Sequence, residues 1–197
     1  MKKISSINLS DTLSHIIYEA VMRYPSFHHI DANRVRVCIS SNRSGRGGLY
    51  GKLVPLKFKN GSPVIRHRGR LYRMPEVAVN GVVQLYLIYF YMPRFFDLPP
   101  AEKIKVILHE LYHISEDFNG DIRRLTEGKA AHGHSREHYN SLFMSEVREF
   151  NDYLSTTPYY NFLSLDTQGL FSMFRSIRAT RMKMPRPYPL DDENMAG

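Results

Sequence analysis

The stretch Val106-Ile107-Leu108-His109-Glu110-Leu111-Tyr112-His113-Ile114-Ser115 constrains the fold most, because its chemistry and its packing both ask for a helix. On a helix, residues i and i+4 stand one above the other. His109 and His113 can therefore offer two imidazole nitrogens to one cation, at the short bond lengths zinc takes. Glu110 follows about 100° further round and points beside such a cation, where a general base for a zinc-bound water belongs. Ile104, Ile107, Leu108, Leu111 and Ile114 recur on the opposite side and can anchor the element in a core. Pro99 and Pro100 suit the start of the helix, where missing N–H groups cost nothing, and Asp97 adds negative charge near that end. The plain alternative is an amphipathic helix whose histidines merely face water. The apolar run around the motif and further histidines downstream argue against it.

The chain of 197 residues is expected to form one domain over 1–190, large enough to bury a core without staples, with 191–197 as a disordered tail. Its hydrophobic share of 43% and charged share of 23% are those of a soluble globular protein. Only Cys38 is present, so no intramolecular disulfide can form, which fits a reducing cytosol. The opening residues carry no apolar h-region of a signal peptide, and Val82 to Met92 is too short to cross a bilayer as a helix. A cytoplasmic location is the expectation. The net charge of +8 implies attraction to polyanions, and weak, sequence-independent nucleic-acid binding would follow from it. Basic residues gather at Arg66–Arg73 and Arg175–Arg186, but no nucleic-acid motif accompanies them, and solvated strand and tail faces account for them slightly better than a dedicated binding surface.

Taken in order, Leu13 to Tyr24 reads as an amphipathic helix capped by Asp11 or Ser10 and stopped by Pro25. Arg34 to Ser40 alternates like a half-buried strand, Ser41 to Gly48 is a turn by composition, and Leu49 to Phe58 would return as the second strand of a hairpin. Asn60-Gly61 and Asn80-Gly81 are turn signals flanking weaker strands at Pro63–Tyr72 and Met74–Val79. Val82 to Met92, apolar on both faces and rich in β-branched and aromatic residues, predicts a largely buried strand. A second helix is expected from about Ser135 to Tyr153; the remainder from Pro158 holds an apolar patch (Tyr159, Tyr160, Phe162, Leu163, Leu165) and a Pro-rich end that is expected to be extended.

A catalytic zinc generally takes three protein ligands and keeps a position open for water. The metzincin spacing would put a histidine where Asn119 stands, so that pattern fails. Glu137 or Glu146 on the following helix could serve, as could His132, His134 or His138. Three histidines within seven residues favour the histidine option.

The motif His109-Glu110-Leu111-Tyr112-His113-Ile114-Ser115, with Asp117, Gly120-Asp121, Arg123-Arg124, His132-Gly133-His134-Ser135-Arg136 and Tyr139, resembles a family of metallopeptidases from phages, bacteria and archaea. That family is itself similar to the SprT-like and WLM zinc peptidases. The resemblance covers about residues 30 to 155 and is specific around the two histidine-bearing segments. It implies a zincin-like α+β fold: a small, mostly antiparallel or mixed sheet packed against the motif helix and a following helix. It also implies peptide-bond hydrolysis and, more loosely, a nucleoprotein substrate. In the SprT-like and WLM peptidases the third ligand is a histidine followed four or five residues later by an aromatic. His134 with Tyr139 fits that spacing best, and His132 comes next.

Two functions from different classes follow. In the first, the chain is a zinc endopeptidase: His109, His113 and His134 hold Zn2+, and Glu110 takes the proton from water. Tyr139 or Arg136 would steady the oxyanion, and Asp117 or Asp121 would orient a ligand imidazole. In the second, a zinc staple without catalysis holds a basic surface against nucleic acid. The second has no use for Glu110, so the first is preferred.

Overall fold

The computed structural model describes residues 4–41, 48–126, 129–130 and 144–190. Its centre is a three-stranded mixed sheet made of β2 (Val35–Ser41), β3 (Gly51–Pro55) and β8 (Tyr86–Met92). β8 lies in the middle, parallel to β2 with Val35 opposite Tyr86, and antiparallel to β3 with Leu53 opposite Ile88. The expected hairpin between the second and third strands is therefore corrected: β8 separates them. Most of the turn expected at Ser41–Gly48 lies outside the described residues. β8 takes the central place because it is apolar on both faces, with Tyr86 through Phe90 all at most 2% exposed.

Period-two alternation sorts the sheet's side chains into two cores. Val35, Val37, Ile39, Leu53, Tyr86, Ile88 and Phe90 face the helices, whereas Cys38, Val54, Leu87 and Tyr89 face the other way. On the helical side, α1 (Leu9–Arg23) packs against β2, and α2 (Pro100–Tyr112) packs against β3. The opposite face is closed by Met182 and Met184, which alternate with exposed Arg181 and Lys183 along the chain's extended end.

Before β8 come the hairpin β4 (Val64–His67) and β5 (Arg70–Arg73), then the short pair β6 (Ala78–Val79) and β7 (Val82–Val83). Asn80 and Gly81 make the turn of that pair at φ 50 and 79. β9 (Arg124–Thr126) and β10 (Lys129–Ala130) follow α2. Of the expected second helix, the described part is α3 (Met144–Ser155), whose Val147, Phe150 and Leu154 are buried and which packs on α2. Beyond Pro158 the Pro-rich end carries no helix among the described residues, as expected, and the residues before it are folded. They form α4 (Pro158–Leu163), α5 (Thr167–Met173) and β11 (Phe174–Arg178), which pairs in parallel with β1 (Ile4–Asn8), before β12 (Tyr188–Pro189) lies against β5. The fold class is α+β with small mixed and antiparallel sheets, as expected. No helix among the described residues is long and apolar enough to cross a membrane.

Two features of α1 differ from the sequence reading. The helix starts earlier, and its cap is Asn8, whose side chain accepts from the N–H groups of Ser10 and Asp11. Ser10 is buried instead, and its hydroxyl accepts from the N–H of Thr180, tying the chain's end to α1.

Candidate active site

α2 is held by its apolar back. Ile104, Ile107, Leu108, Leu111 and Ile114 are all fully buried, each worth about 1.5–3 kcal/mol in burial before the entropy of ordering is counted. Its last turn therefore has a fixed orientation, and that turn carries the motif. His109 and His113 meet there with their Nε2 atoms 3.0 Å apart and their rings nearly perpendicular, at 89°. His113 is buried and His109 half-buried. Two imidazole nitrogens at that separation share either a proton or a cation. Two nitrogens bound to one tetrahedral zinc would stand about 3.3 Å apart, so the pair fits such an ion after a shift of a few tenths of an ångström.

Glu110 faces β3. Its carboxylate is almost wholly buried, and Oε2 accepts a 2.7 Å hydrogen bond from the backbone N–H of Leu53. β3 is the end strand of its sheet, so this N–H is not used by β8 and a carboxylate from the helix takes it. The close approach needs Gly51. A Cβ there would stand 3.0 Å from Glu110 Cγ, from Glu110 Oε1 and from Val106 Cγ1. Burial pushes the Glu110 carboxyl up to about 7, against the smaller downward pull of the Leu53 N–H and of Lys52. A carboxyl group at that value can take or give a proton near neutrality.

The segment after α2 fixes the motif from behind. The chain turns through Phe118 and Gly120, both at positive φ, and returns so that Ile122 bridges Ile114. Gly120 admits no side chain, since a Cβ would meet Lys57 Cγ at 2.6 Å. The Tyr86 hydroxyl donates to the Asp121 carbonyl at 2.8 Å and accepts from the Gly120 N–H at 2.9 Å. The Arg123 N–H donates to the His113 carbonyl at 2.8 Å.

Asp121, expected to orient an imidazole, has another task. Its carboxylate accepts from the N–H groups of Asn60 and Ile122 and pairs with Arg124 at 3.0 Å, binding the loop together. Asp117 is exposed. Glu146 accepts from Ser26 Oγ and Ser145 Oγ, and does not join the two histidines. Among the described residues, no three of His, Cys, Asp or Glu form a metal-holding group. His132, His134, His138, Glu137, Arg136 and Tyr139 lie outside the described residues. The sequence reading missed the Leu53 N–H and Gly51, and it named Arg123 only as part of the family resemblance, without a role. Only Gly51 left a signal, a glycine inside a strand, which marks a bulge or a close backbone approach.

Comparison with known proteins agrees with this geometry. A family model described as "Putative phage metallopeptidase" matches residues 8–174. No curated protein matches the chain, and no solved structure does. The match runs from the cap of α1 through the histidine pair to the start of β11, and on that basis the chain belongs to this phage metallopeptidase family.

Proposed function

We propose that the chain is a zinc-dependent endopeptidase in which His109, His113 and His134 hold the ion and Glu110 is the general base. The observation that carries the reading is the histidine pair, Nε2 to Nε2 at 3.0 Å, beside a buried and anchored Glu110 in a chain of this family. Zinc at that position would supply Lewis acidity toward water and the peptide carbonyl.

The chain's own residues do the rest. Leu53 holds Oε2 of Glu110, so the carboxylate keeps one orientation and Oε1 receives the proton from the attacking water. The same oxygen then returns that proton to the departing amine. Burial favours the protonated carboxyl that the second transfer needs, and a cation on the histidines would favour the ionised form that the first transfer needs. Tyr139 or Arg136 would steady the oxyanion.

Glu110→Gln tests the assignment. The amide keeps the shape and cannot accept the proton, so hydrolysis should fall by about 10²–10⁴-fold, the range for a general base, while zinc measured by elemental analysis stays stoichiometric. A zinc-loaded variant that cleaves at the wild-type rate refutes the role. Loss of zinc would mean that Glu110 shapes the site instead.

A further inference from the structure

We propose that the cleft beside Tyr112 binds a carboxylate of the peptide substrate, with Arg123 and His29 as its donors. This rests on the peptidase reading and adds a substrate class to it. The cleft has a volume of about 410 Å³ and is lined by Pro25, Ser26, His29, Tyr112, Glu116 and Arg123.

Its position follows from the helix. Counted round α2 from His109, Glu110 lies about 100° to one side and Tyr112 about 60° to the other. A peptide crossing the histidine pair thus has Glu110 and β3 on one flank and the cleft on the other.

Arg123 places a fixed positive charge there. Its backbone N–H is bonded to the His113 carbonyl, its Nε to the Ile114 carbonyl at 3.3 Å, and its guanidinium lies 4.2 Å from the centre of the Tyr112 ring. The side chain is only 11% exposed, so little solvent screens it, whereas its partner Glu116 is 76% exposed at 3.0 Å. A pair with one arm in water is weak, and an incoming carboxylate can replace Glu116 on the guanidinium fork.

His29 supplies a second, independent sign of a ligand. Its Nε2 is buried and has no hydrogen-bond partner among the described residues, and a buried polar atom left unpaired is costly. Burial, and then the charge of Arg123, hold the ring below the ordinary histidine value and keep it neutral. A neutral ring protonated at Nε2 donates one hydrogen bond. Arg123 repels a cation from the same space. An anion in the cleft would be drawn to Arg123 and would give His29 Nε2 the acceptor it lacks, and a planar carboxylate matches the fork.

The test uses full-length, zinc-loaded Glu110→Gln protein, so that no peptide is consumed. Calorimetry compares capped alanine pentapeptides carrying one central glutamate or one glutamine, and an uncapped peptide ending in a free carboxylate against its amide. At least one carboxylate should bind about tenfold tighter than its neutral twin. A glutamate preference assigns a side chain, and a free-terminus preference assigns the chain end. Arg123→Gln and His29→Phe should erase the preference. Glu116→Gln, a change at an exposed side chain, should increase it. Equal binding of the twins, or a preference that none of the three variants changes, overturns the proposal. If the preference appears but the wild-type protein cleaves no peptide, the cleft stands and the peptidase reading falls. Cleavage without any carboxylate preference is the reverse result.

Discussion

Gly51→Ala is the smallest change that should reach the chemistry, and its cost can be worked from three distances. The new methyl would meet Glu110 Cγ, Glu110 Oε1 and Val106 Cγ1, each at 3.0 Å, well inside ordinary contact. Val106 has little freedom at χ1, and Glu110 is held at Oε2 by Leu53. Neither neighbour can give easily. Overpacking of this kind costs about 1–3 kcal/mol. Stiffening the unfolded chain returns about 0.4–1 kcal/mol, since the glycine's φ is not positive. The net should be about 1 kcal/mol of lost stability, or a Tm lower by roughly 2–4 °C for a chain of this size. Activity should suffer more than stability, because the methyl displaces the carboxylate whose orientation matters. Thermal unfolding, zinc content and the rate of peptide cleavage would be measured together. Val106→Ala in the same chain removes one of the three contacts, so the double variant should regain stability without regaining activity. A Gly51→Ala protein as stable and as active as the wild type would show that β3 does not press on Glu110.

Three further outcomes are expected. His134→Ala should release zinc on dialysis while His132→Ala and His138→Ala keep most of it; emptying by His132→Ala would move the ligand two residues, and retention by all three would leave Glu137 to be tested. Lys103 is buried in α2 with Nζ donating to the Leu163 and Leu165 carbonyls at 2.7 Å each, and burial lowers its pKa to about 8. The unfolded chain then binds the extra proton between about pH 8 and 10.5, so wild-type stability should rise across that window relative to Lys103→Met, by roughly 3 kcal/mol at most; parallel curves in urea would refute the shift. Tyr86→Phe leaves the Gly120 N–H without its acceptor and takes one donor from the Asp121 carbonyl, which should cost about 1–3 kcal/mol in urea unfolding, and an unchanged midpoint would mean the loop is held without it.

What the sequence made legible was periodic. The back of α2 follows from spacing and the buried β8 from its run of β-branched and aromatic residues; Tyr86 to Phe90 are inside as expected, whereas Val82, at the start of the expected strand, is exposed and belongs to β7. What it hid was long-range. A strand's alternation says which face is buried but not which strand lies beside it, so Leu49–Phe58 read as the partner of β2 although β8 intervenes. The cap of α1 was misplaced because Ser10 and Asp11 are good caps in isolation, while β1 delivers Asn8 to that position and Thr180 claims Ser10. α4 and α5 are six and seven residues long, too short to display an amphipathic period. In the site, His109 and His113 were four residues apart and therefore visible. The bond between Leu53 and Glu110 spans 57 residues and was not.

The placement of the histidines at the end of α2 rather than its middle has an electrostatic consequence. The carbonyls of a last helical turn carry partial negative charge, equivalent to roughly half an electron for a whole helix. A cation held by His109 and His113 would sit in that field. The first turn has the opposite polarity, and there the buried Lys103 ammonium needs two carbonyls from the α4 end to satisfy it. Glu110, the one carboxylate in the last turn, stands where the dipole opposes it, and burial opposes it as well. The Leu53 N–H offsets part of that cost in the chain alone. Lys52 offsets a further part, and a divalent ion held by the two histidines would add to both.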